Sequence, residues 1–123
     1  MNGNRLLLDT NIILYLLNGD ETLIDILEGK HVYISFITAL ELYGFKQLTT
    51  AEKIKIDSVL ASRTVIDVNT GIKDKTIEIK QNFNIKLTDS LIAGTAIYFD
   101  IPLITADTDF NKINSLNVLN YMK

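Results

Sequence analysis

Cysteine is missing from the 123 residues, proline occurs once, and His31 is the sole histidine. No disulfide, thiolate nucleophile or cysteine-ligated metal is possible, and soft nitrogen ligation is confined to one imidazole. The absence of cysteine fits a reducing compartment. No apolar run approaches the roughly 20 residues of a membrane span, and "MNGNRLLLD" does not have the form of a secretory leader. These absences lead to the expectation of a soluble, cytoplasmic protein without a membrane association. A basic balance is missing too: twelve Lys and Arg face fifteen Asp and Glu, for a net charge of −3. On its face that disfavours a nucleic-acid partner.

What is present is a sequence able to bury a core. Hydrophobic residues make up 47% and charged residues 22%, which excludes disorder and fits one domain over residues 1–123. Short apolar runs alternate with longer stretches of helical period, the signature of an α/β fold with helices on both faces of a mainly parallel sheet of four to five strands. Strands are expected at 5–9, 31–35, 64–68, 102–107 and 117–121. Helices are expected at 10–19, 21–29, 36–48 (broken near Gly44), 50–62, 70–83 and 88–100.

Within this pattern, carboxylates stand where apolar residues belong. Asp9 ends the run "LLLD", at the strand terminus where open α/β sheets carry their sites. Glu41 stacks at helical spacing with Ile37, Leu40 and Gly44, on or beside an apolar stripe. Asp89 heads the face formed by Ile92, Ala93, Ala96 and Ile97. Asp107 closes "LITAD" as Asp9 closes the first strand, and Asp109 follows two residues later. Singly, each acid reads well as a helix cap or turn residue. Jointly, Asp9, Glu41, Asp89 and Asp107 are expected to converge on one sheet edge, where several ionised carboxylates repel unless a cation joins them. If these five share one site, ten acids remain against twelve bases, and the rest of the molecule is slightly positive.

An all-oxygen donor set points to Mg2+ or Mn2+. Zinc would want histidine or cysteine, calcium a continuous loop of ligands, and neither pattern is present. His31, beside Lys30, reads as a surface residue. Such a cluster suits phosphodiester hydrolysis.

"LLLDTNIILYLLNG", "ISFITALELYG", "LTDSLIAGTAI" and "LITADTDF" follow one another in an order and spacing that resemble the PIN domain, and more narrowly the toxin of a VapBC-type toxin–antitoxin pair. The resemblance runs from Leu6 to about Phe110. It implies a PIN-like α/β/α fold and a Mg2+- or Mn2+-dependent endoribonuclease with RNA as substrate. It also implies a homodimer restrained by a cognate antitoxin protein. Carried across, Asp9, Glu41, Asp89 and Asp107 match the acidic quartet, as metal ligands and catalytic residues. Asp109 matches a more variable acidic position. Asn11 and Thr105 match polar positions beside the acids, with Ser35 and Thr38 as further candidates to orient them. The segment "NFNIKLT" before Asp89 lacks the arginine and glycine common there.

For RNA contact, Lys46, Lys73, Lys75, Lys80, Lys86 and Lys112 are candidates for phosphates, and Tyr43, Phe45 and Phe83 for bases. A solvated helix face explains Lys73, Lys75 and Lys80 as well, and packing explains the aromatics. Two other readings fit parts of the pattern: an RNA-processing nuclease that is not a toxin, and a non-enzymatic receiver-like signalling domain. The receiver would want paired acids after the first strand and a lysine ending a late one; "LLLDTN" and "PLITAD" supply neither.

Overall fold

The computed structural model describes residues 4–121. The first three residues of the segment read as leaderless, and both ends of the 1–123 span, lie outside the described residues. Leu6, Leu7 and Leu8 are buried in β1 (Arg5–Leu8), the middle of five strands in the order β3-β2-β1-β4-β5. The others are β2 (His31–Ser35), β3 (Thr64–Ile66), β4 (Leu103–Thr105) and β5 (Val118–Asn120), and all four pairings are parallel. A strand flanked on both sides and covered on both faces must be apolar along its whole length, which is why "LLL" shows no polar alternation.

Period two then divides the core. Leu7 and Leu103 point to one face, against Ile92, Ala93, Ala96 and Phe110. Leu6, Leu8, Ile34 and Ile104 point to the other, against Ile12, Ile13, Leu23 and Leu42. The first layer is built by α5 (Thr70–Asn82) and α6 (Leu87–Phe99). The second is built by α1 (Thr10–Leu17), α2 (Glu21–Leu27), α3 (Phe36–Tyr43) and α4 (Thr50–Ala61). This is the expected three-layer architecture, with five strands. The strand order also removes the receiver-like alternative, whose flavodoxin-like order is 2-1-3-4-5.

Helix ends follow local chemistry. Gly19 and Gly29, at φ +80° and +77°, close α1 and α2 in a conformation costly for other residues. Thr49 and Glu52 form a reciprocal capping box at the start of α4. Two expectations shift. Helix α3 stops at Tyr43 with Gly44 as its cap, so residues 45–49 are loop rather than a continued helix. The third strand ends at Ile66, because it pairs only with β2 and only over three residues. A short 3-10 turn, Thr108–Lys112, follows β4. Helix α6 is buried from Ile92 through Ala96, and α5 crosses it closely at Gly94. A Cβ there would sit 2.6 Å from Thr76 Oγ1 and 3.1 Å from Thr76 N. That contact fixes the depth of α6, which carries Asp89 in its first turn. No described helix is long and apolar enough to cross a membrane.

Candidate functional site

The chain leaves β1 towards β2 on one side and later returns to the other side as β4. The gap beyond the C-terminal ends of β1 and β4 is therefore the topological switch point, where an α/β sheet opens a crevice. A cleft of about 210 Å³ lies there, lined by Asp9, Glu41, Asp89 and Asp107 with Asn11, Phe45 and Lys86.

Asp9 is 5% exposed and does two things at once. It caps α1, Oδ1 accepting from Thr10 N at 2.8 Å, and its Oδ2 accepts from Thr105 Oγ1 at 2.7 Å. The capping explanation of this acid is thus correct and leaves the acid in the cleft. Parallel register accounts for the second bond: Leu8 lies opposite Ile104, so the next residues, Asp9 and Thr105, emerge side by side. Thr105 Oγ1 also accepts from Asp107 N at 3.0 Å, tying the two strand-end acids to one hydroxyl.

Glu41 reaches in from α3, its Oε1 accepting from Thr10 Oγ1 at 2.7 Å. Thr10 Oγ1 lies 3.1 Å from Thr38 Oγ1. Since a hydroxyl has one proton and Thr10 spends it on Glu41, Thr38 is the donor to Thr10. Asp89, with 13% of its side chain exposed, is 3.9 Å from the Lys86 Nζ. Burial raises Asp89 to about 6, Lys86 opposing, with Asp9, Asp107 and Glu41 adding repulsion. Burial also raises Asp9; hydrogen bonds from Thr105 and Thr10 work against the shift, and the charges of Asp107 and Glu41 reinforce it. Four carboxylates feel one another here, with Lys86 the one cationic side chain lining the cleft among the described residues.

The expected supporting residues divide. Thr105 touches Asp9 as expected. Thr38 acts through Thr10. Ser35 instead caps α3, accepting from Ile37 N at 3.3 Å, because the buried strand end leaves that helix otherwise uncapped. Asn11 lines the cleft but is exposed and makes no hydrogen bond to an acid among the described residues. Asp109 lies outside the cleft: its backbone N–H supports Asp107 Oδ1 at 2.9 Å, while its carboxylate faces Lys112 at 3.6 Å.

Of the candidate RNA contacts, Lys86 and Phe45 line the cleft. Lys80 donates to Ile85 O at 2.8 Å, Lys75 pairs with Glu78 at 4.0 Å, and Phe83 packs on the core. Tyr43 donates to Asp57 at 2.5 Å. Thr10 was not among the candidates read from the sequence, yet it holds Glu41. Its signal was its position, immediately after a strand-end acid and within reach of a second helix.

The cleft is not a closed ligand cage. Among the described residues no three His, Cys, Asp or Glu side chains are arranged to hold an ion by themselves. The donors present are hard oxygens with uncompensated charge, and Mg2+ commonly binds through few carboxylates plus water and substrate phosphate. An open acidic cleft fits that requirement.

A parallel sheet in this order, with carboxylates gathered at its switch point, defines an α/β protein with an acidic cleft at the strand ends. Residues 6–116 match the PIN domain family, and the chain belongs to it. Three solved complexes illustrate the likeness. One is VapBC2 from Rickettsia felis bound to a DNA fragment from their promoter, at 27% identity and TM-score 0.83, covering 95% of this chain and 98% of that one. A toxin–antitoxin complex from Klebsiella pneumoniae gives 28% and 0.81, covering 96% and 99%. VapBC-1 from nontypeable Haemophilus influenzae gives 26% and 0.78, covering 94% and 97%. No curated protein sequence matches the chain.

Proposed function

We propose that this protein is a Mg2+- or Mn2+-dependent endoribonuclease acting as the toxin of a VapBC-type pair. The observation that carries the reading is the convergence of Asp9, Glu41, Asp89 and Asp107, from β1, α3, α6 and the end of β4, on one cleft. The relatives' assembly with antitoxins supports the toxin role. A cytoplasmic homodimer restrained by its own antitoxin belongs to the same proposal.

Asp9, Asp89, Asp107 and Glu41 are the residues that would hold the ion. A bound divalent cation supplies activation of a water for attack on a phosphodiester and screening of the charge that builds on the phosphate. The chain's own groups do the rest. Thr105 and Thr10 fix Asp9 by both oxygens, so its position is set before substrate arrives. Thr10 and Thr38 orient Glu41 across the cleft. Lys86, at the lip, offers a cation to the RNA backbone, and Phe45 offers an apolar face beside it.

The test is RNA cleavage by the purified protein with Mn2+ and with EDTA, in parallel with folded Asp9→Asn and Asp89→Asn variants. Cleavage that needs the metal and falls at least a hundredfold in both variants is expected. Undiminished cleavage in both variants would place the chemistry elsewhere. A short reading frame beside the gene whose co-expression suppresses growth arrest would mark a toxin, and the absence of such a frame would favour an RNA-processing nuclease.

A further inference from the structure

The sheet edge opposite the acids holds a second opening that the nuclease reading does not use. It lies where β2 and β3 begin, between α2 and the end of α4, and encloses about 380 Å³. Leu16, Leu27 and Val32 give it an apolar wall. Its polar rim carries Lys30, His31, Ser62 and Arg63 against one acid, Glu28.

Arg63 is the informative residue. It follows Ser62, the cap of α4, and is half-buried. Its Nη1 is fixed, donating to Val59 O at 2.9 Å and to Ser62 Oγ at 2.6 Å. Its Nε is buried without a hydrogen-bond partner, and neither Nη2 nor any carboxylate completes the group among the described residues. Burial lowers its proton affinity, with no acid acting against that shift. With Nη1 spent and Nε closed to solvent, Nη2 is the nitrogen left to donate, and an arginine N–H donates well to a phosphate or carboxylate oxygen.

We propose that this opening binds a phosphomonoester of mononucleotide size, its phosphate on Arg63 Nη2 and its organic body on Leu16, Leu27 and Val32. Three basic side chains around one mouth suit a phosphate dianion better than a carboxylate. The apolar wall selects an organic phosphate over inorganic phosphate, and the volume lies within the range of small-molecule sites. The proposal is independent of the nuclease reading, because the two sites lie at opposite ends of the strands.

The experiment is a two-dimensional NMR titration of the full chain with adenosine monophosphate in EDTA. Without a divalent cation the bare acids repel phosphate, so the first cleft stays silent. Saturable shifts at residues 30–32 and 62–64 are expected, with adenosine alone and inorganic phosphate alone each binding at least about tenfold more weakly. Arg63→Gln weakens binding by about tenfold or more, the loss of hydrogen bonds to a charged group, and Arg63→Lys restores part of it. Because Arg63 also closes α4, a melt confirms each variant's fold, and the shift map on the parent protein stands without either. Shifts mapping to the acidic cleft, no saturable binding, equal binding of adenosine, or an indifferent folded Arg63→Gln variant would each overturn the proposal. A ribose-methylated oligonucleotide with a terminal phosphate separates the sources: tighter Arg63-dependent binding than the mononucleotide assigns the site to an RNA end, and weaker binding to a free nucleotide.

Discussion

Replacing Asp89 by asparagine removes a carboxylate assigned to the proposed chemistry, and the metal-free protein should become more stable for it. The ordinary value of the carboxyl, 3.8, is raised to about 6 in the folded state. A carboxyl raised on folding favours the fold when it is protonated. That contribution is complete below the unfolded value and is lost as pH climbs through the folded one. At 1.36 kcal/mol per unit, ionised Asp89 costs the fold up to about 3 kcal/mol at pH 7.5. With only 13% of the side chain exposed, solvent relieves little of this. Asparagine keeps the shape and the polarity, loses the charge, and gives up a weak 3.9 Å pairing with Lys86. A gain of about 1–3 kcal/mol follows, or roughly 4–12 °C in Tm for a chain of this size. Urea and thermal unfolding in EDTA at pH 7.5 and near pH 4 read it directly. The gain should be large at the higher pH and nearly absent at the lower. Adding Mn2+ should reverse the order, raising the Tm of the parent and leaving the variant unmoved. A folded Asp89→Asn protein less stable than its parent at pH 7.5 in EDTA would refute the electrostatic account of the cleft.

Thr105→Val removes the hydroxyl that donates to Asp9 and accepts from Asp107, at nearly constant volume, and should cost about 1.5–3 kcal/mol in urea unfolding. It also raises the Asp9 carboxyl further, so metal affinity should fall most steeply on the acid side; a pH series of Mn2+ titrations checks this. Asp109→Ala should change stability by less than about 0.5 kcal/mol and leave cleavage intact, since its carboxylate meets only Lys112. Gly94→Ala gains helix propensity but drives a methyl into Thr76 on α5, and a net loss of about 1–2 kcal/mol by thermal melt is expected.

The sheet was legible because its strands are too apolar and too short to be anything else: "RLLL", "HVYIS" and "LIT" fall where their patterns put them. Helix ends were legible where a glycine marked them, at Gly19 and Gly29. They were not where tertiary contact decided, as at residues 45–49, which keep helical period but leave the helix after Gly44. For the acids, strand-end position and misplaced charge on an apolar stripe were visible in one dimension. Of the hydroxyls that hold them, Thr105 was legible through the resemblance and Thr10 was not. Ser35 and Thr38 are three residues apart and look equivalent in sequence, yet one is spent on its own helix and the other faces Thr10 across the cleft. Choosing between them needs the angle at which α3 leaves β2.

The hydrogen bond between Thr105 and Asp9 joins residues 96 apart in the chain. Translation therefore makes the strand leading to Asp9 long before the strand that ends in Thr105. Before residue 103 is made, β1 lacks one neighbour, Asp9 lacks the hydroxyl that fixes it, and Asp107 does not yet exist. A nascent chain in which β4 is not yet made therefore has no complete cleft, and any activity of the site waits on that strand.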